Sequence, residues 1–448
     1  MTKPTLLLLF LGALFCAAEI HAQTISASVG GIASTPTKVT PGSVFWNPAT
    51  IGKCNGTQME TNLTLVGGWV IYDRDGIDPN TNLAYKSSDM SAVAPNPFIS
   101  VSSPLGTKDF RFGYATYFPA GVMASYDPNG AQRYSLIEGL VIPWQNQFTV
   151  AYRPNDHWSI AMSGMYSLGF FKSDLDIDLE SFMANIMNSD DIPKENSALT
   201  ARAKIPMQTA NAFSGAIGVY YSPSYQWSFG LSFFSPVEYT FKGRLHLQTP
   251  KAVGNLSAGL RALGVEDTID AEVVSKSTIP PFLQMGASYQ PYGYYTIELF
   301  GRYTFASLFP SISVELRDSA LSAVKSYSRP GKDLKDDYLV GVLNSFSLWQ
   351  RWTLGLNTTY TSNSVRDDYL SSTLMDFDTL LVGPFAQYQW SRKLKIGAEY
   401  AHSFMFDRTA KNTQASNAIP NSAFRPISTD GTYRAAADRF GLMVKYAF

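Results

Sequence analysis

One unit recurs along this chain: an aromatic stretch, a short polar turn, and a second stretch that begins on or near an aromatic residue. The turns contain Pro, Asn, Asp and Gly, which are residue types that form tight turns. Long polar stretches separate the copies, which lie about 40 to 70 residues apart. The copies are AYRPNDHWSIAM from Ala151, YYSPSYQWSFGL from Tyr220, YQPYGYYTIEL from Tyr289, SLWQRWTLGL from Ser347, YQWSRKLKIGA from Tyr388 and the weaker SSPLGTKDFRFG from Ser102. Six tight turns join twelve strands, and one further strand at each end makes fourteen, so the repeat predicts an antiparallel array with short connections at one end only.

Side chains within these stretches alternate between large apolar and small or polar residues. After the second turn, Trp158, Ile160 and Met162 alternate with residues 159, 161 and 163. This period of two is typical of a strand with one apolar face. The chain ends on the same pattern, with the apolar set Phe440, Leu442, Val444, Tyr446 and Phe448. Chain termini usually fray and are polar, so something apolar must cover this last strand.

The composition leaves two architectures open. Aromatic residues make up 14% of the chain and charged residues 16%, whereas soluble domains contain about 25% charged residues. A transmembrane β-barrel fits these values, and so does a large secreted β-sandwich or propeller. The position of the tryptophans favours the barrel, because a membrane girdle places them beside the turns and a sandwich core scatters them along the strands. The tryptophans beside tight turns are Trp158, Trp227, Trp349, Trp352 and Trp390.

The first 22 residues predict export. Lys3, an apolar run over residues 6–15 and the tripeptide IHA before Gln23 form a signal peptide. Cys16 allows a lipoprotein, but Phe15 is too large for that cleavage, and Cys54 is then the only cysteine of the mature chain and is predicted to be buried. No later stretch approaches the ~18 apolar residues of a membrane helix. Since only helices and closed barrels satisfy their backbone groups in lipid, the sequence predicts an all-β, multi-pass barrel in the bacterial outer membrane.

Three stretches resemble the FadL type of outer-membrane long-chain fatty acid transporter, a family that also includes importers of aromatic hydrocarbons. They are FWNPATI (residues 45–51), GYATYFPAG (residues 113–121) and DDYLVGVLNSFSLWQRWTLGLNTTY (residues 336–360), together with the terminal KYAF. The resemblance implies a 14-stranded antiparallel barrel over residues 61–448. It also implies an N-terminal hatch over residues 23–60 inside the lumen, with Asn47, Pro48 and Ala49 as its motif. The alternative for this segment is an N-terminal strap beneath the barrel.

The family releases its substrate sideways into the bilayer, through a gap where the third strand is kinked. Here the resemblance assigns that strand to residues 110–118, with the gate residues Phe110, Phe112, Gly113 and Ala115. A glycine inside a strand marks bulges or bends. The alternative is a glycine that simply occupies a lumen-facing position.

Two long loops have helical spacing of apolar residues, which predicts amphipathic helices. In the resembled family the matching loops form a hydrophobic groove that first captures the substrate. The alternative is that the two apolar faces pack on each other and cap the barrel. The predicted groove residues are Leu179, Phe182, Met183, Ile186, Met187, Leu256, Leu260 and Leu263.

Recognition of a carboxylate is less well supported by the sequence. The family's fatty acid transporters hold the acid with two basic residues, and Lys335 stands at the first position. The second position, on the fifth strand, has no arginine, and Lys172 is displaced from it. This difference favours neutral hydrophobic substrates, and Lys335 is alternatively a solvated charge at the rim. Tyr446 and Phe448 resemble the terminal signal that barrels present to their assembly machinery.

Three functions compete. The first is passive uptake of hydrophobic small molecules such as long-chain fatty acids or aromatic hydrocarbons, and the second is a component of a protein secretion system. The third, an enzyme, is disfavoured because the mature chain has only His157, His246 and His402 and shows no nucleophile elbow or metal-spaced His pair. No catalytic residue, metal or cofactor is therefore expected. A net charge of −1 gives no sign of the excess positive charge that nucleic-acid-binding proteins carry.

Overall fold

A closed ring of antiparallel strands forms the protein. The computed structural model describes residues 29–178, 195, 200–248, 268–309, 312–316, 327–328, 334–411 and 427–448; the predicted signal peptide lies outside them. The strands are β1 (Gln58–Arg74), β2 (Ser88–Ser103), β3 (Phe110–Tyr117 and Val122–Ser125), β4 (Glu138–Tyr152), β5 (Trp158–Asp178), β6 (Thr200–Tyr221), β7 (Trp227–Phe234 and Val237–Gln248), β8 (Thr268–Ile279 and Phe282–Tyr292), β9 (Tyr295–Thr304 and Ile312–Leu316), β10 (Tyr327–Ser328 and Asp337–Leu348), β11 (Trp352–Thr361), β12 (Thr379–Gln389), β13 (Leu394–Met405 and Arg408–Ala410) and β14 (Gly431–Ala447). A break divides each strand that is given in two pieces.

The first and last strands close the barrel. Gln58 pairs with Ala447 at one end of the seam and Arg74 pairs with Gly431 at the other, with no register shift between them. Each remaining strand pairs with the strands before and after it in the chain. The predicted fold class, a 14-stranded antiparallel barrel, is confirmed.

The connections are short at one end of the barrel and long at the other. Short turns, such as residues 153–157 and 349–351, lie at the end where β1 starts and β14 finishes. Long connections, such as residues 126–137 and 362–378, lie at the opposite end. This asymmetry was predicted from the turn repeat and is confirmed.

The outer wall is apolar. The outward side chains of the closing strand are 38% to 67% exposed, whereas the inward Met443 is 7% exposed. A continuous apolar wall of this kind is covered by hydrocarbon in a bilayer. The predicted alternation is confirmed, since Ser159, Ala161 and Ser163 point inward and are buried. The outward set on the closing strand is Phe440, Leu442, Val444, Tyr446 and Phe448.

Residues 29–54 lie inside the ring of strands and are buried almost throughout. Two short 3₁₀ helices, Pro41–Phe45 and Pro48–Lys53, make up its second half. Cys54 is buried, as predicted. β1 begins at Gln58, so the predicted boundary between residues 60 and 61 falls within the first strand.

The 3₁₀ helices are short, and no helix among the described residues combines the length and apolar character needed to cross a bilayer.

Candidate functional site

The wall of the barrel has a gap between β2 and β3. Pairing between these strands runs only from Ser103↔Phe112 to Ile99↔Thr116. Beyond this point residues 88–98 of β2 pair with β1, and no described residue pairs with their other edge. The gap therefore occupies the half of β2 nearer the long loops.

A register shift in β3 forms the other side of the gap. Tyr117 pairs with Gln145 of β4, and Val122 pairs with Val141. Five residue steps on β3 thus match four steps on β4, which is the signature of a β-bulge. Residues 118–121, Phe-Pro-Ala-Gly, form this bulge and have no ladder partner on β4. The bulge bends β3 at the point where its pairing with β2 ends.

The predicted gate residues lie next to this break and not in it. Gly113 pairs in regular register with Ser102 and Thr149. A Cβ at Gly113 would lie 2.6 Å from Cδ1 of Ile51, so the glycine makes room for the inner segment instead of bending the strand. Ala115 is fully buried and points inward, whereas Phe110 and Phe112 point outward.

Aromatic side chains line the inner mouth of the gap. The ring of Tyr117 lies 5.6 Å from the ring of Phe98 on β2 and 5.4 Å from the ring of Phe45 on the inner segment. The Tyr117 hydroxyl donates to Oε1 of Gln147 at 2.7 Å, so its polar end is satisfied. The mouth consequently presents ring faces to anything that leaves the lumen. Neither residue was among the predicted gate residues: Tyr117 lies within the GYATYFPAG stretch but carried no assigned role, and Phe98 belongs to no motif.

An apolar cluster lies on the long-loop side of this mouth. Two members of this cluster, Met90 on β2 and Ala124 on β3, flank the gap. The other buried members are Val70, Tyr72, Tyr126, Leu136, Val365, Leu370, Phe377, Met405, Ala410, Tyr433, Ala435 and Ala437. Apolar surface therefore extends from the loops down to the gap.

Two loops close the long-loop end above this cluster. The Thr373 hydroxyl donates to the Ser135 carbonyl at 2.5 Å and joins the loops over residues 126–137 and 362–378. Arg408 donates to the carbonyls of Val365 and Asp376 at 2.8 and 2.7 Å. Burial raises the pKa of Asp376 to about 6, although hydrogen bonds from Ser364 oppose the shift. The described loops thus form a packed cover.

Asn47 fixes the inner segment to the wall. Its Nδ2 donates to the carbonyls of Pro36 and Val219, both at 3.0 Å, and its Oδ1 accepts from the Ala49 amide at 3.0 Å. A Cβ at Gly218 would lie 2.3 Å from that oxygen, so β6 needs a glycine here. The three residues predicted as a motif are all buried, and Asn47 joins two turns of the segment to one strand.

Buried carboxylates from the wall hold the first half of the segment. Glu298 on β9 accepts from the Thr35 hydroxyl at 2.6 Å and from the Thr37 amide at 3.1 Å. Glu399 on β13 accepts from the Ile32 amide at 3.0 Å. Charge-assisted bonds of this kind are about twice as strong as neutral ones. The segment is consequently anchored at β9 and β13, and through Asn47 at β6 on the side of the barrel opposite β13.

We expect Asn47→Ala to loosen the inner segment. The change leaves the buried carbonyls of Pro36 and Val219 without that donor, which costs about 1–3 kcal/mol locally. Amide hydrogen exchange over residues 29–54 should become roughly tenfold faster or more, because ~1.4 kcal/mol is a factor of ten. Asn146→Ala, which removes an outward-facing amide bonded to Tyr114, is the control. Equal exchange in both variants would contradict the anchoring role.

Lys172 and Lys335, the two predicted carboxylate contacts, share no hydrogen-bond or ion-pair partner among the described residues. Lys172 Nζ forms an ion pair with Oε1 of Glu138 at 2.5 Å, so a neighbouring strand neutralises its charge. Lys335 is exposed between the two pieces of β10. The eight predicted groove residues lie outside the described residues, and their role stays a prediction.

Comparisons with known proteins agree on one family. The profile of the outer membrane protein transport protein family (OMPP1/FadL/TodX) matches residues 10–448. The NMB0088 protein of Neisseria meningitidis serogroup B is 22% identical over 474 aligned residues, which cover 100% of this chain and 98% of that protein.

Solved structures share the fold. A Pseudomonas aeruginosa FadL homologue superposes with a TM-score of 0.81 at 17% identity, covering 94% of this chain and 98% of that one. The Pseudomonas putida toluene transporter TodX gives 0.67 at 12% identity, with 94% and 97% covered. The Ralstonia pickettii toluene transporter TbuX gives 0.60 at 13% identity, with 94% and 97% covered.

Proposed function

Because this chain belongs to the OMPP1/FadL/TodX family of outer membrane transport proteins, we propose that it lets hydrophobic small molecules diffuse through the outer membrane without energy coupling. Membership confirms three predictions: the FadL-type resemblance, the outer membrane location and a transport role in place of an enzyme. The substrate and its route are the proposal.

The gap between β2 and β3 is the observation that supports a lateral route. A barrel in a membrane normally pairs every strand edge, since unpaired backbone groups in hydrocarbon each cost several kcal/mol. The edge over residues 88–98, with which no residue of the described ranges pairs, is therefore expected to serve a function. The gap leads from the apolar cluster on the long-loop side, past the rings of Phe98 and Tyr117, to the bilayer.

On this route each step keeps apolar surface away from water, which drives the transfer. Substrate moves from the cover loops to the lumen cluster and then through the gap. Residues 29–54 act as a hatch that blocks direct passage along the barrel axis. Their anchoring to opposite walls supports this role.

Neutral hydrophobic compounds suit the lumen better than free acids. Glu138 neutralises Lys172, and Lys335 is exposed at the rim. The names of TodX and TbuX describe toluene transporters, and we extend that substrate class to this chain. The exposed Tyr446 and Phe448 at the end of the last strand fit the predicted contact with the barrel assembly machinery.

Uptake by cells tests the proposal. A Gram-negative strain without its own members of this family would express the protein, and uptake of radiolabelled toluene and oleate would be measured at low concentration. We expect faster toluene uptake with the protein than with an empty vector, and a smaller gain for oleate. Deleting residues 45–51, the FWNPATI stretch, should change that uptake.

The competing role has a distinct outcome. If neither probe enters faster and the purified protein brings down a large secretion complex, the secretion role replaces uptake.

A further inference from the structure

We propose that four prolines keep the gap between β2 and β3 open: Pro95 and Pro97 remove donors from the β2 edge of the gap, and Pro119 and Pro143 remove donors between β3 and β4 at the bulge. The inference rests on the proposed lateral route, and it identifies the residues that keep the exit from closing. Proline has no N–H group and cannot donate to a strand ladder. What matters is the neighbour toward which each missing donor would have pointed.

The hydrogen bonds at the strand ends fix those directions. In an antiparallel sheet the N–H and C=O of one residue point to the same neighbour, and successive residues alternate. The Phe448 amide donates to the Thr57 carbonyl, so the odd-numbered residues of β1 face β14 and its even-numbered residues face β2. Because even residues of β1 pair with even residues of β2, the odd-numbered residues of β2 face β3.

A second bond gives the same result from the other side. The Arg153 amide donates to the Asp109 carbonyl, which places the odd-numbered residues of β4 and of the first piece of β3 toward each other. The even-numbered residues of that piece consequently face β2. They pair with odd-numbered residues of β2, as in Ile99↔Thr116.

Two of the prolines face the gap, and the other two face each other across the β3–β4 ladder at the bulge. Pro95 and Pro97 are odd-numbered, so their missing donors would point from β2 across the gap, and the ladder to β1 is intact beside them. Pro143 is odd-numbered and would point from β4 toward β3. Counting on from Tyr117 opposite Gln145, the residue that falls opposite Pro143 is Pro119.

The prolines weaken the closed wall and favour the open one. If β3 ran straight on from Thr116 opposite Ile99, Phe118 would meet Pro97 and Ala120 would meet Pro95. Each of these pairs would make one hydrogen bond in place of two, and the Pro119 and Pro143 pair would make none. In the open wall, a proline at position 95 or 97 leaves one fewer unpaired N–H group at the strand edge that faces hydrocarbon.

A fifth proline shows that one missing donor does not open the wall. Pro384 of β12 is even-numbered, and the Gln389 amide donates to Arg351, so Pro384 faces β13. Pairing with β13 skips residues 383 and 384 and resumes at Phe385↔Glu399 in unchanged register. The gap at β3 thus requires the cluster of prolines together with the bulge.

The test restores donors without touching the bulge. The variant Pro95→Val/Pro97→Val/Pro143→Val supplies three N–H groups directed at β3, with a residue that favours strands. Because each ladder bond shifts an equilibrium by about fivefold, we expect the amides of residues 118 and 120 and those at the new positions to exchange slowly. We also expect toluene uptake to fall by about tenfold or more. Pro384→Val is the matched control and should change neither measurement.

Both readouts are needed to interpret the result. Heat-modifiable gel mobility shows whether each variant has folded into a barrel, and single replacements at Pro95 and Pro97 serve if the triple variant does not fold. Fast exchange of the amides of residues 118 and 120 in a folded variant, with or without a loss of uptake, overturns the inference. Slow exchange with full uptake supports the prolines and overturns the lateral route. If the unaltered protein transports no probe, the exchange measurement still decides the role of the prolines.

Discussion

Uptake of toluene should fall to the level of cells without the protein when Ala94 is replaced by tryptophan. Ala94 lies on the inward face of β2 and borders the gap. The indole would occupy the space between the ring of Phe98 on one side and Met90 and Ala124 on the other. An apolar ligand cannot pass a mouth that an aromatic side chain already fills.

Leu65→Trp is the matched control for this block. Leu65 lies on the lipid-facing side of β1 and pairs with Pro95, so it is one strand from the gap at nearly the same height. A tryptophan there meets lipid and should leave uptake unchanged. Equal uptake by the Ala94→Trp variant and the unaltered protein would show that substrate leaves the lumen by another route.

Deleting residues 29–54 should turn the barrel into an aqueous pore. Barrels of 16 to 18 strands form water-filled channels, and a 14-stranded barrel without its inner segment approaches that diameter. The side chains that bind the segment, such as Glu298, Glu399 and Asn357, would then face water. We expect purified protein in a planar bilayer to pass from near-zero conductance to stable open-channel conductance.

The conductance measurement separates a hatch from a passive filler of the lumen. The deleted protein must first show the heat-modifiable mobility of a folded barrel. Asn47→Ala, which loosens the segment without removing it, should give brief openings. Conductance that stays near zero in a folded deletion variant would contradict the hatch role.

Period-two alternation and turn chemistry predict most of the fold. Each strand can be recognised from its own short stretch of sequence, because its side chains alternate between a face toward lipid and a face toward the lumen or the inner segment. Trp158 and Trp227 lie beside short turns for the same local reason. The hatch motif entered through resemblance, and one of its three residues, Asn47, bonds the inner segment to the wall at Val219.

The gap could not be located from local pattern. Its position depends on which residue of β2 stands opposite which residue of β3, and this register is a property of the two strands together that neither strand's own pattern shows. The resemblance placed the kink on the strand over residues 110–118, with a lumen-facing Gly113 as the alternative, and the missing side chain of Gly113 makes room for Ile51. The bulge over residues 118–121 contains Pro119 and Gly121, which can be read from the sequence. That their backbone groups point toward β4 follows only from the register of the two strands.

The seam between β1 and β14 makes the order of events during biogenesis strict. The ring cannot close before β14 is available, because β1 pairs with it from Gln58↔Ala447 onward. Residues 29–54 precede that seam, and their partners include Glu399 on the penultimate strand. We therefore expect the inner segment to be enclosed as the ring closes, and a chain that lacks the last strand would lose the seam with β1.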